Sequence, residues 1–270
     1  MKHPSLVAIA AAFSFLSVLG SARGADTNTP AAEVGALMGD IRVKVEQGKT
    51  NESDFATELK SFDTLLAKHK GEKTDDVAGF LRLKAQLYFE VFQKRDQAIE
   101  LIQQLKRDFP NTDLGKQADE TIDEFKRAIL LGAKFPDFNE KDLDGKPLSI
   151  AKFKGKVVLV DFWATWCGPC VAELPNVLKA YEDYHAKGFE IVGISLDNDE
   201  QKTHAFIKEK KMAWPQFFDG KGWDNKLATQ YGVHAIPATY LLDGEGKVIG
   251  RDLRGEDLTK AIAKALGTKT

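Results

Sequence analysis

The stretch KVVLVDFW, Lys156 to Trp163, is apolar at almost every position and carries one carboxylate, Asp161, inside it. A strand with one wet face alternates apolar and polar residues, so a nearly continuous apolar run is expected of a parallel strand buried on both faces. The residues around it fit an alternating α/β pattern. Upstream, PDFNEKDLDGKPLSI reads as a hairpin turning at Asp144-Gly145. Downstream come a helix after Cys167, kinked near Pro175, then strand FEIVGISL, helix DEQKTHAFIKEKK and a short strand near PQFF. Helix NKLATQYG, strand ATYLLD, a turn at Asp243 to Gly246, strand KVIGRDL and a last helix from Glu256 to Leu266 complete the series. A β-α-β unit followed by a β-β-α unit is implied, giving a four-stranded central sheet with extra elements.

Between Ala31 and Leu131 the periodicity is different. Apolar residues repeat at 0, +4, +7 and +11, one stripe of a helix with 3.6 residues per turn. Five stripes occur: Val34/Met38/Ile41/Val45, Phe55/Leu59/Phe62/Leu66, Leu81/Ala85/Tyr88/Phe92, Ala98/Ile102/Leu105/Phe109 and Ala118/Ile122/Phe125/Ile129. Breakers at Gly48 to Ser53, Gly71 to Asp75, Arg95-Asp96 and Pro110 to Asp113 separate them, and such short connections make antiparallel neighbours. Part of this region, around Ala85 to Phe125, resembles tetratricopeptide-like helical hairpins. Both a plain bundle and a surface for docking or dimerisation fit the pattern, and no catalytic constellation is visible there. The pattern changes at Gly132-Ala133-Lys134-Phe135-Pro136.

The first residues combine Lys2, an apolar run from Leu6 to Leu19, and small residues at Ala22 and Gly24 suited to cleavage before Ala25. These are the parts of a secretory signal peptide, and the run is short for a spanning helix, which needs about 20 residues. The expected organisation is a signal peptide over residues 1–24, an all-α domain over 25–132 and an α/β domain over 133–270. Export, to a bacterial periplasm, is a setting where disulfides persist. A net charge of −2 with interspersed signs offers no basic face, which argues against nucleic acid and anionic membrane as partners.

The chain has two cysteines, Cys167 and Cys170, in VDFWATWCGPC. A disulfide closing so short a loop removes little unfolded-state entropy, about 2 kcal/mol or less, so stapling is a poor use for it. Zinc needs four ligands, and the five histidines are scattered; no metal or cofactor is expected. A reactive pair has a physical reason at each position. Cys167 falls at a strand-to-helix junction, where free N–H groups and the helix dipole favour thiolate; it is expected to be the exposed nucleophile. Gly168 permits close approach of a partner's backbone, and Pro169 stiffens the first turn. Cys170, expected to be the more buried, is the resolving thiol. Asp161 and Glu173 are candidates for moving its proton, since a carboxyl inside an apolar strand is desolvated and its pKa rises towards the range of a proton shuttle.

The segment FKGKVVLVDFWATWCGPCVAELP resembles the active-site region of the thioredoxin superfamily, specifically its exported TlpA-like and ResA-like (redoxin) thiol:disulfide oxidoreductases. The resemblance covers about Gly132 to Leu266. It implies a thioredoxin-like fold: a four-stranded central sheet plus N-terminal hairpin with helices on both faces, here preceded by the all-α helical-hairpin domain. It also implies an attacking Cys167, a resolving Cys170 and acidic helpers placed like Asp161 and Glu173. YGVHAIPATYLLD looks like the family's cis-proline loop, with Ile236-Pro237 the expected cis bond and substrate contact, although Ala238 replaces the usual Thr. Trp166 is expected to shield the thiols and face partners, while Trp214 and Trp223 are expected to be packing residues. His234 is expected to be an ordinary loop histidine.

Three functions compete at this stage. The first is reduction of disulfides in exported proteins, recharged by a membrane thiol reductase of the DsbD type. The second is a peroxidase, suggested by GISLDND, but the Pro-Thr-Cys context of peroxide-reducing cysteines is missing. The third is non-enzymatic, either docking or copper delivery; the mature chain would offer a soft metal only Met38 and Met212 besides the thiols.

Overall fold

The computed structural model describes residues 29–268; the expected signal peptide lies outside them. Two compact units are present, one ending at Arg127 and the other starting at Ala128. No helix of the described residues is long and apolar enough to cross a membrane.

The first unit is all helical: α1 (Pro30–Glu46), α2 (Ala56–Lys68), α3 (Asp75–Gln86), α4 (Arg95–Asp108), the single turn α5 (Asp113–Lys116) and α6 (Ala118–Arg127). Thr29, Thr74 and Thr112 cap α1, α3 and α5 by accepting from the backbone three residues on. The stripes of α4 and α6 bury their helical residues as expected, whereas Ile129 lies beyond α6 and joins the core of the second unit. Three stripes are shifted; in α2 Leu59 and Leu66 are half-buried and the buried helical residues are Glu58 and Phe62. In α1 the buried row uses Leu37 in place of Met38. After α3 the chain widens into a π turn, Leu87–Val91, which rotates Leu87, Phe89 and Val91 inward and leaves Tyr88 and Phe92 half-buried. Phe89 then stacks on Phe125 at 4.2 Å. Buried charge is paired: Lys44 donates to Glu58 at 2.7 Å, and the His69 ring lies between Glu33 (2.8 Å) and Glu72 (2.7 Å). Those two carboxylates, Glu72 first, raise the His69 pKa.

The second unit opens with the hairpin β1 (Glu140–Lys141) and β2 (Pro147–Leu148), whose turn Asp142 organises by accepting from Asp144 and Lys146 N–H. A mixed sheet follows, built from β3 (Val157–Trp163), β4 (Phe189–Ser195), β5 (Gln216–Phe218), β6 (Ala238–Leu242) and β7 (Val248–Arg251), in the order β5-β4-β3-β6-β7. Helices α7 (Gly168–Tyr184), α8 (Glu200–Lys210), α9 (Lys226–Gln230) and α10 (Gly255–Ala265) complete the unit. This is a thioredoxin-like fold. The short strand near PQFF extends the four central strands to five by pairing with β4.

Every residue of β3 and β4 is buried, which accounts for their largely apolar sequences. β3 is parallel to β4 and antiparallel to β6, in a register that sets Asp161 opposite Gly193 on one side and Thr239 on the other. Gly193 is required by a neighbour. A Cβ there would stand 1.9 Å from Gln216 Oε1, and that oxygen is already held by Trp163 Nε1–H at 2.9 Å in a buried pair. Gln216 cannot swing away without breaking that bond. Gly193→Ala is therefore expected to cost about 1–3 kcal/mol in denaturant unfolding, as overpacking does, and much less in a Gln216→Ala background; an equal loss in both backgrounds would contradict this account.

Candidate active site

The edge of the sheet decides which residues meet. The carboxyl ends of the parallel strands β3, β4 and β5 and the start of the antiparallel β6 lie on the same edge. The loops leaving that edge carry Trp166 to Cys170, Ser195 to Asp197, Trp223 and Ile236-Pro237.

Cys167 is the N-cap of α7. Its backbone is extended, its sulfur accepts from Cys170 N–H at 3.2 Å, and Pro169 stands in the first turn where a missing donor costs nothing. The sulfurs of Cys167 and Cys170 are bonded to each other. The expected contrast in burial is absent: Cys167 is 5% exposed and Cys170 8%. Each sulfur in the bonded pair covers the other, so the nucleophile is not the more open one in this oxidised state. Its neighbours are open: Trp166, Gly168 and Pro169 are exposed, and a side chain added at Gly168 would meet nothing within 4 Å.

Asp161 is buried in the central strand. Burial raises its pKa to about 7; Arg254 opposes the rise and Glu173 adds to it. A cavity of about 20 Å³ is lined by Asp161, Cys170, Glu173, Pro237, Thr239 and Arg254 among others, room for about one water. Asp161 and Cys170 thus line one small cavity. Glu173 has a different set of partners from those of a free acid. Its Oε1 accepts from Gly255 N–H at 2.7 Å, capping α10, and its Oε2 from Asn176 Nδ2 at 3.0 Å.

The Ile236-Pro237 peptide is cis, and Ile236, Pro237 and Ala238 are half-exposed. Arg254, just before α10, donates to Pro237 O at 2.7 Å and, more weakly, to Thr239 Oγ1 at 3.5 Å. It ties the proline loop to β6 and sets a positive charge near Asp161. Nothing local in the sequence pointed to Arg254, because its partners are 15 and 17 residues away and meet it only through the β6–β7 pairing.

The aromatic residues divide differently from expectation. Trp163 and Trp214 are buried, but Trp223, expected in the core, is 48% exposed and lies against Trp166, itself 54% exposed, with ring centroids 5.9 Å apart. The short helical turn Gly222–Asp224 presents Trp223 outward. His234 is exposed.

The sequence of this unit is matched by the Redoxin family model over residues 130–266. Thiol-disulfide oxidoreductase ResA of Bacillus thuringiensis subsp. konkukian (strain 97-27) is 34% identical over 136 residues, covering 50% of this chain and 76% of the relative. ResA of Bacillus subtilis (strain 168) is 33% identical over 124 residues, covering 46% and 68%. Among solved structures, the thioredoxin domain of a thiol-disulfide oxidoreductase from Bacteroides vulgatus is 36% identical and superposes with a TM-score of 0.48 over 52% of this chain and 99% of that one. With a CXXC-spaced cysteine pair heading a helix at the end of a buried strand, and this degree of identity to ResA proteins, the chain belongs to the redoxin family as a ResA-like thiol-disulfide oxidoreductase.

Proposed function

We propose that this oxidoreductase reduces disulfides of exported proteins, working in a bacterial periplasm behind a cleaved signal peptide and recharged by a membrane thiol reductase of the DsbD type. The signal-like residues 1–24 and the ResA relatives support the setting. The helical unit, residues 25–132 as a domain, serves docking or dimerisation. One observation carries the chemical reading: a buried carboxyl with a pKa of about 7 lines the same small cavity as Cys170.

The Cys167 thiolate, stabilised by the Cys170 N–H and the helix end, attacks one sulfur of the substrate disulfide. The other substrate sulfur leaves as a thiolate and takes a proton from water. Asp161, ionised near neutral pH, accepts the Cys170 proton through the cavity. The Cys170 thiolate then attacks Cys167 Sγ, the enzyme disulfide closes, and the second substrate sulfur leaves and is protonated. Two electrons pass from the enzyme dithiol to the substrate. Glu173 acts by holding α10, and thus Arg254, beside Asp161; Trp166, Gly168, Pro169, Ile236 and Pro237 form the substrate face.

Outward electron flow is supported by the Gly168-Pro169 pair between the cysteines, the pair found in reducing thioredoxins.

Four results are expected. In insulin reduction with a dithiol reductant, Cys167→Ser abolishes turnover and Cys170→Ser accumulates mixed disulfides detectable on non-reducing gels; turnover without Cys167 would end this reading. Asp161→Asn slows the Cys170-dependent resolution of a mixed disulfide by about 10²-fold near pH 7, the scale of a lost general base, and removes its rise with pH. The same variant gains stability. The folded Asp161 holds its proton up to about pH 7, against an ordinary carboxyl at 3.8. Its burial penalty is accordingly absent in acid, grows from about pH 4 and reaches about 4 kcal/mol above pH 7. Asp161→Asn should therefore unfold later than the parent at pH 8 and at a similar denaturant concentration at pH 3.5. Finally, Arg254→Met removes the charge that opposes protonation of Asp161, and the pH midpoint of resolution moves upward; an unmoved midpoint would show that Arg254 acts on the loop alone.

A further inference from the structure

In the second unit the large apolar side chains left exposed are Trp166 and Trp223, and they lie side by side. Exposed aromatic rings cost free energy in water unless something covers them, and adjacent ones mark a contact surface more than a packing accident does. Neither ring is exposed because its loop is loose. Thr165, which precedes Trp166, gives both its N–H (3.1 Å) and its hydroxyl (2.6 Å) to the buried Asp197, whose other oxygen accepts from Ser195 Oγ at 2.8 Å.

The turn bearing Trp223 is fixed from both sides. Asn225, fully buried, donates through Nδ2 to Ser195 O (3.3 Å) and Asp219 Oδ1 (3.1 Å) and accepts from Leu227 and Ala228 N–H, each at 3.0 Å. Asp219 also accepts from Lys226 and Lys221 N–H. Gly222 takes a positive φ of 57°, and a Cβ there would lie 2.4 Å from Asn198 Oδ1, so the turn closes tightly against the loop after β4. Both tryptophan loops are thus fastened to the end of one strand, β4, through Ser195 and Asp197. A polar hub that is buried and satisfied holds two rings that are neither.

We propose that Trp166 and Trp223 form a rigid ledge that binds an aromatic or large aliphatic side chain of the substrate next to its disulfide cysteine, so that the enzyme prefers extended, unfolded segments with apolar flanks. The inference rests on the reductase reading above and names the substrate class of that site. The occupant follows from continuity with the reacting sulfur. Trp166 is the residue before Cys167, and a substrate cysteine bonded to Cys167 has to lie over Gly168 beside it. In an extended chain, residues advance about 3.3 Å each and alternate faces, so a side chain one or two positions from that cysteine spans the distance across a ring pair 5.9 Å wide. Folded proteins bury such side chains, while unfolded or misoxidised ones offer them. An apolar side chain lying on preordered rings gains contact without the ordering cost of a flexible loop.

The test uses the full chain in its reduced form and three disulfides: cystamine, and two peptides each closed by one disulfide that differ only in having Phe or Ser on both sides of the cysteines. Rates on the peptides are divided by the rate on cystamine, which has no side chain to lay on the ledge and reads the sulfur chemistry alone. The Phe peptide is expected to be reduced with about 10-fold higher kcat/KM than the Ser peptide, mostly through KM, and Trp223→Ala should bring that ratio close to one. Trp223→Phe, which keeps an aromatic ring and guards against a folding defect, should retain most of the preference. A preference that survives Trp223→Ala, or an enzyme with no preference at all, would overturn the ledge. A parent chain inert towards all three disulfides would overturn the reductase reading and the ledge with it.

Discussion

A carboxyl group taken out of water on the central strand of a doubly covered sheet is the constraint on which the site depends. Asp161 is buried in register with Gly193 and Thr239, with space for about one water beside it, so bulk water does not solvate its charge. Desolvation outweighs the attraction of Arg254 and leaves the group titrating near neutrality, where a proton can be held or released with little driving force. The same burial penalises the fold above neutral pH. A residue that weakens the protein above neutral pH and lines a cavity with one of two cysteines is a candidate for a chemical role, the one proposed for it above.

The rest of the site is arranged by polar bonds between loops at one sheet edge. Glu173 reaches from α7 to the first turn of α10; Arg254, just before that turn, reaches the carbonyl of the cis proline. On the other side, Asp197 and Asn225 fasten the two tryptophan loops to β4. Each of these groups is satisfied by backbone as well as side-chain partners, which fixes the loops in addition to the apolar residues packed beneath them.

Much of this was legible in the chain because the local signals agreed. The unbroken run Val157 to Trp163 could only be a strand covered on both faces, and Asp144-Gly145 only a tight turn. Cys167 followed by Gly168 and Pro169 announced a helix start, and the structure adds that the sulfur is its cap. Helical periodicity succeeded in α4 and α6 and slipped where other forces acted. The π turn at Leu87–Val91 inserts an offset that a 3.6-residue period does not contain. In α2, Glu58 and the nearby His69 are buried although polar, because Lys44 and Glu33 come to them from distant turns and Glu72 from the next one.

What the sequence alone determined is the presence and order of the elements and the identity of the reactive pair, since these rest on spacing within a few residues. Only tertiary structure decided the environments. It buried Cys167 as deeply as Cys170, turned Glu173 from a free acid into a helix cap, brought Arg254 to the proline loop and exposed Trp223 beside Trp166. The physical reason is that burial, charge proximity and hydrogen-bond partners are set by chain segments far apart in number, and strand register, which no local pattern specifies, brings them together.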